Sequence, residues 1–178
     1  MNNDYEGTQP ITTDAKYTPE KTASNDDVIS TLNGLIQTCK DGEDGFREAA
    51  EVVESSETKT FFAEKSRERS HFVGELQTLV RTLGGDPESE GTITAALHRG
   101  WMDLKTAIAG NDLHGVLVEC ERGEDSAKNT YREALSMKLP ANVSDVVQSQ
   151  YNSILTTHDV VKTLRDAGKN ASTAGSGF

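Results

Sequence analysis

The segment ETKTFFAEKSRERSHFVGELQTLVRTL, residues 57–83, decides the fold class of this chain. Its apolar side chains recur at intervals of three and four residues, and this spacing predicts one long amphipathic helix. Glu68 and His71 stand three residues apart within it, so we expect both side chains on one helix face. The face predicted to point to the core comprises Phe61, Glu68, Phe72, Leu76, Leu79 and Leu83. A carboxylate and an imidazole on that face need partners, because burial of an unpaired polar group is costly.

The rest of the chain shows the same helical periodicity, and we predict an all-α fold. The predicted helices cover about residues 25–53, 57–83, 92–109, 112–138 and 144–167. No segment alternates apolar and polar side chains with a period of two, as a half-buried strand would. The pattern divides the chain into a disordered polar tail over residues 1–24, a helical domain over 25–167 and a flexible C-terminal tail over 168–178.

The charge balance argues against two classes of partner. The chain of 178 residues carries 29 acidic and 18 basic side chains, which gives a formal net charge of −11. Nucleic-acid phosphates and anionic lipids both attract clustered Lys and Arg, so we predict no nucleic-acid partner and no membrane partner. No apolar run approaches the roughly 20 residues that a membrane span needs. Because the sequence shows no signal peptide and no disulfide framework, we expect a cytoplasmic protein.

Helix geometry places polar side chains from all four long helices at one level. A rise of about 1.5 Å per residue puts six of them roughly 20–27 Å above the start of the first helix. This result requires that segment 92–109 is a helical crossover, which gives the up-down-down-up four-helix bundle of ferritin-like proteins. In such bundles Glu side chains and Glu-x-x-His pairs hold two metal ions. The predicted metal ligands, with iron or manganese as the expected metal, are Glu43, Glu68, His71, Glu121, Glu124 and His158.

Four motifs carry a resemblance to a known family. They are CKDGEDGF at 39–46, LGGDP at 83–87, LHRGWMDLK at 97–105 and ECERGED at 119–125. With these motifs the chain resembles an uncharacterised bacterial family, domain of unknown function 2383, over about residues 25–167. The resemblance implies a ferritin-like four-helix bundle that is distantly related to bacterioferritin and rubrerythrin. It implies no established activity.

Two hypotheses for the function remain open on the sequence. In the first, the six predicted ligands hold a di-iron or di-manganese pair for metal binding, Fe(II) oxidation or peroxide handling. In the second, a ferritin-like bundle without metal is a stress-related structural or interaction protein, and its polar layer is a hydrogen-bonded relic. Leu155 favours the second hypothesis, because a Glu at that position would complete a Glu-x-x-His pair with His158. Arginine side chains between the predicted ligands would favour it as well. Analogy with the fold suggests a homodimer, and protein partners are undefined.

Overall fold

The computed structural model describes residues 23–87, 104–110 and 112–174, with side chains up to residue 168. Within these ranges the chain forms helices and no strand, so the predicted all-α class is confirmed. The helices are α1 (Asn25–Val52), α2 (Ser56–Thr82), α3 (104–109), α4 (Leu113–Ser136) and α5 (Ala141–Ala174). The predicted N-terminal tail up to residue 22 and the predicted crossover up to residue 103 lie outside the described residues. Among the described helices, none is both long and apolar enough to cross a membrane.

Short polar side chains fix where three of the helices begin. Ser24, Ser55 and Asp112 each accept a hydrogen bond from the backbone N–H three residues further along the chain. These bonds satisfy N–H groups that the first turn of a helix leaves without a partner. At the other end of α2, Gly84 adopts a φ of +81°, which glycine reaches without steric cost.

The last helix is longer than predicted at both ends. We expected it to begin near Ser144, after a break that contains Pro140. In the structure the Pro140 carbonyl accepts hydrogen bonds from the N–H groups of Val143 and Ser144, at 3.0 and 2.9 Å. Proline is tolerated at the start of a helix, because the N–H that it lacks has no helical partner there. At the other end α5 continues through Gly168 to Ala174, beyond the predicted end at residue 167.

Hydrogen bonds between α1 and its two neighbours give their relative directions. Asn25 Nδ2 donates to the carbonyl of Leu83 at 2.9 Å, so the start of α1 lies at the end of α2. Thr31 Oγ1 contacts Met137 Sδ at 3.2 Å, so the start of α1 also lies at the end of α4. The end of α1 packs with the start of both α2 and α4 in one apolar cluster. α1 is therefore antiparallel to α2 and to α4.

The direction of α5 follows from its contacts with α2. Glu75 accepts a hydrogen bond from Gln150 Nε2 at 2.9 Å, and Glu68 accepts one from Ser153 Oγ at 2.6 Å. Residue numbers therefore rise along α5 as they fall along α2, which makes the two helices antiparallel. The remaining close pair is α4 with α5, so the order around the assembly is α1, α2, α5, α4.

Two clusters of buried apolar side chains fill the two ends of this assembly. The cluster at the start of α1 includes Leu32, Leu35, Leu76, Tyr131 and Ile154. The cluster at the end of α1 includes Phe46, Ala49, Phe62, Val116 and Val161. Polar side chains of α2 and α4 lie between the clusters and form the site described below.

The buried face of α2 differs from the predicted face. The buried side chains of this helix are Phe62, Ser66, Arg69, Phe72, Leu76 and Val80. Arg69 is 1% exposed, whereas His71 is 73% exposed and lies near Glu75. The prediction that His71 faces the core is therefore wrong. Phe62 rather than Phe61 belongs to the buried face. Phe72 and Leu76 lie on both the predicted and the observed face, so the face is turned by less than the roughly 100° between adjacent residues.

Candidate functional site

A buried arginine occupies the centre of the helix assembly. Arg69 Nη2 donates to both carboxylate oxygens of Glu124, at 3.0 and 2.9 Å. Arg69 Nη1 donates to Glu68 Oε1 at 3.3 Å. Glu124 is 3% exposed, so this ion pair is almost fully withdrawn from water. Two of the six predicted metal ligands, Glu68 and Glu124, thus meet on a guanidinium.

Aromatic rings and a glycine hold the Arg69 side chain in place. Its Cζ atom lies 5.8 Å from the ring centroid of Phe46 and 5.4 Å from that of Phe72, within the range of cation–π contact. A Cβ atom at Gly42 would stand 3.4 Å from both Cγ and Cδ of Arg69. The arginine stem therefore packs directly against Gly42, where an alanine would just touch it.

The charges of this centre support one another. Burial lowers the pKa of Arg69, but its interactions with Glu124, Cys39 and Glu68 together raise the pKa by more, so the net shift is upward. Burial raises the pKa of Glu124 above its ordinary value, and the Arg69 guanidinium opposes that shift. Partial burial also raises the pKa of Glu68, but hydrogen bonds from Ser153 and Lys65 outweigh it and leave the pKa low. We therefore describe the centre as two carboxylates held by an arginine and a lysine.

A second group of polar side chains lies where α4 packs against α5. Glu121, Asp125 and His158 each offer a ligand atom, and these atoms all lie within 4.8 Å of one another. His158 Nε2 stands 3.1 Å from Asp125 Oδ1, and His158 Nδ1 stands 3.1 Å from Asp159 Oδ1. Glu121 also pairs with Arg165. Asp125 is 54% exposed, so solvent reaches this group.

The structure divides the six predicted ligands among different surroundings. Glu68 and Glu124 bind Arg69, whereas Glu121 and His158 belong to the group at α4 and α5. Glu43 is half-buried, and its backbone carbonyl accepts a hydrogen bond from Ser66 Oγ. The remaining predicted ligand, His71, lies on the exposed face of α2. Within residues 23–87, 104–110 and 112–168, Glu121, Asp125 and His158 form the one group of three metal-ligating side chains this close together.

Sequence reasoning missed Asp125 and Arg69. Asp125 is 54% exposed, as its place in an acidic run favours, but its position four residues after Glu121 puts both carboxylates on one side of α4. Arg69 lies in a charged run, and hydropathy alone does not mark it as buried. One signal for its burial is Gly42, which interrupts the apolar stripe of the neighbouring helix α1 and packs against the arginine stem.

A chain of hydrogen bonds also crosses the core. Tyr131 O–H donates to Gln150 Oε1 at 2.7 Å, and Gln150 Nε2 donates to Glu75 Oε2 at 2.9 Å. Because the hydroxyl hydrogen of Tyr131 is thus engaged, the Cys39 thiol donates to the Tyr131 oxygen, at 3.0 Å. Burial raises the pKa of Cys39 to about 11. Cys39 and Cys120 are both buried and free of disulfides, as expected of core thiols.

Residues 27–137 match the sequence model of a family described as a domain of unknown function, DUF2383. The match runs from the first turn of α1 to the end of α4, so it includes Arg69, Glu68 and Glu124 and excludes His158. The comparison with curated proteins finds no match.

Proposed function

The chain belongs to the DUF2383 family, and we propose that it is a ferritin-like four-helix protein with a structural or interaction role. The order α1, α2, α5, α4 and the alternating directions of neighbouring helices support this proposal. Ferritin-like bundles have the same arrangement, in which a long crossover follows the second helix. The family description assigns no activity, so the role has to be argued from the site.

The observation that carries the proposal is the position of Arg69. In a dinuclear bundle the inward carboxylates bind metal ions, but here both oxygens of Glu124 accept hydrogen bonds from Arg69. A guanidinium remains charged in proteins and has no lone pair to offer a metal. A metal pair between Glu68 and Glu124 would have to displace a buried arginine side chain. The centre therefore serves to hold helices together.

Metal content after loading tests this proposal. The protein is purified without a histidine tag, incubated anaerobically with Fe(II) or Mn(II), desalted and assayed for metal per chain. We expect at most one metal, and we expect the Glu124→Gln variant to bind as much as the native protein. About two metals per chain, lost in Glu124→Gln, would overturn the structural role in favour of a dinuclear site.

The group at α4 and α5 favours a second candidate function, the binding of one divalent metal ion. Imidazole and carboxylate ligands suit iron, manganese and zinc, and Glu121, Asp125 and His158 supply three of them. Asp159 lies on the Nδ1 side of the His158 ring, where a carboxylate orients a ligating imidazole and fixes its tautomer. The metal would compete with Arg165 for Glu121.

The same loading experiment tests this candidate with two histidine variants. His158→Ala removes the imidazole of the group, whereas His71→Ala removes an exposed imidazole elsewhere and is the matched control. We expect about one metal per chain in the native protein and in His71→Ala, and none in His158→Ala. Equal metal content in both variants, or none in the native protein, would contradict the site.

A further inference from the structure

A cavity of ≈ 190 Å³ lies beside the Arg69–Glu124 pair, between α1 and α4. Most of its wall is apolar, and the apolar side chains that line it include Phe46, Leu104, Cys120, Ala127 and Ile154. No step of the proposed structural role uses this space. The cavity therefore calls for an explanation of its own.

Glycines contribute to the opening of this cavity. Gly42 and Gly45 of α1 and Gly123 of α4 lie in its wall. A Cβ atom at Gly123 would meet no described atom within 4 Å. Glycine inside a helix is less favourable than alanine by about 0.5–1 kcal/mol, so these positions keep space free at the expense of helix stability.

Charged side chains also line the cavity, and each of them has a hydrogen-bond partner. Gln37 donates to Asp41, and Arg122 donates to Glu119. Arg69 and Glu124 form the buried ion pair, and Tyr131 donates to Gln150. A charged ligand would lose its hydration here and find no unpaired counter-charge among these groups, which disfavours it. A neutral ligand loses little hydration on entry and gains contact with the apolar wall.

The size of the cavity and the side chains in its wall restrict the kind of ligand that can bind. An apolar cavity of about 150 Å³ is known to accept benzene. Phe46 lies in the wall, and a flat ring in the cavity can pack against its aromatic side chain. We propose that this cavity binds a small neutral aromatic molecule, between benzene and indole in size.

Thermal unfolding of the full chain with indole tests the proposal. A ligand of this size reaches a Kd on the order of 10⁻⁴ M when it fills an apolar site. At about ten times that concentration, binding to the folded state alone raises the Tm by roughly 3–6 °C. We expect this rise in the native protein, and no rise from the anion indole-3-acetate. An unchanged Tm with indole, or an equal rise with both compounds, would overturn the proposal.

Two glycine variants provide the matched comparison. Gly123→Leu places a side chain at the cavity wall, whereas Gly74→Leu places the same side chain in open space on α2, away from the cavity. Both glycines are exposed helical positions, so the two variants share the change in helix propensity. We expect Gly123→Leu to lower the affinity for indole about tenfold or more and Gly74→Leu to leave it unchanged. Equal affinities in the two variants would refute this binding site.

The two buried thiols offer a second readout. Cys39 and Cys120 both line the cavity, so bound indole should slow their reaction with a small neutral thiol reagent at least several-fold. Urea-induced exposure of the same thiols serves as the reference for full reactivity. Reaction at the same rate with and without indole would contradict binding in the cavity. The result is independent of metal content, so this proposal and the proposed structural role can fail separately.

Discussion

Replacement of Arg69 by methionine would leave the carboxylate of Glu124 buried without its guanidinium partner. Glu124 is 3% exposed and accepts two hydrogen bonds from Arg69. Removal of one partner from a buried ion pair costs about 3–5 kcal/mol, because the remaining charge is neither hydrated nor paired. Methionine keeps most of the apolar stem but lacks the Cζ atom that lies near Phe46 and Phe72, so the loss of these two cation–π contacts adds to the cost. For a chain of this length such a loss lowers the Tm by roughly 6–20 °C.

The double variant Arg69→Met/Glu124→Leu separates the charge from the packing. It removes both partners, and such replacements are often neutral or stabilise by about 1–4 kcal/mol. We therefore expect the double variant to recover most of the stability that Arg69→Met loses. Urea unfolding of the native protein, the two single variants and the double variant, followed by circular dichroism, gives the coupling free energy between the two positions.

The stability lost in Arg69→Met should depend on pH in one direction. Without the guanidinium, burial holds the pKa of Glu124 above its value in the unfolded chain. A carboxyl group with a raised pKa destabilises the folded state least when it is protonated, at a pH below its pKa in the unfolded chain. The free energy of unfolding falls as the pH rises above that pKa. The difference between native protein and Arg69→Met should thus shrink from pH 7 to pH 4.5. A loss below about 1 kcal/mol in Arg69→Met, or a double variant as unstable as the single one, would refute the reasoning.

Three further changes have predicted outcomes. For Cys39, whose pKa of about 11 exceeds the ordinary thiol value, the stabilisation is complete below the ordinary pKa and falls by roughly 2–3 kcal/mol as the pH rises to 11. The stability of Cys39→Ala should fall less with pH than that of the native protein, measured as urea midpoints at pH 8 and pH 10.5, and the buried Cys120 thiol accounts for part of the fall that remains. Glu68 has a lowered pKa, so its stabilisation is present above the ordinary pKa of a glutamate and is lost as the pH falls. The free energy of unfolding, measured by urea titration, should therefore decrease less between pH 5 and pH 3 in Glu68→Gln than in the native protein. Gly84→Ala should cost about 1–2 kcal/mol in urea unfolding, because the φ of +81° is strained for alanine. A cost near zero would mean that the turn relaxes.

The helices could be predicted from the sequence because their apolar periodicity and caps are local properties. The buried stripe of α1, including Leu32, Leu35 and Cys39, follows directly from spacing. The face of α2 could not be fixed in this way. Phe61 and Phe62 are adjacent and equally apolar, and so are Leu79 and Val80. The two alternative faces therefore have similar hydropathy, although one places Glu68 inside and the other Arg69. Local hydropathy does not distinguish these faces.

The composition of the site depends on contacts between distant segments. His158 and Glu121 could be brought together by helix geometry alone, since His158 lies on an inward stripe, Glu121 lies at the edge of one, and the two are at about the same level. The ion pair of Arg69 with Glu124 spans 55 residues of sequence, and the arginine stem packs against Gly42 of a third helix. Such complementarity between helices leaves little trace in the periodicity of any one of them.

On the proposed structural role, the guanidinium of Arg69 would make the centre of the assembly independent of a supply of metal ions. A bundle that relies on bound ions matures in two steps, and a chelator or a poor growth medium can leave it incomplete. Here the cation is the Arg69 side chain, which is part of the polypeptide from its synthesis and stays charged at any physiological pH. The folded core should therefore be the same in metal-starved and metal-rich cells, and neither oxygen nor a change of redox potential can remove its central charge.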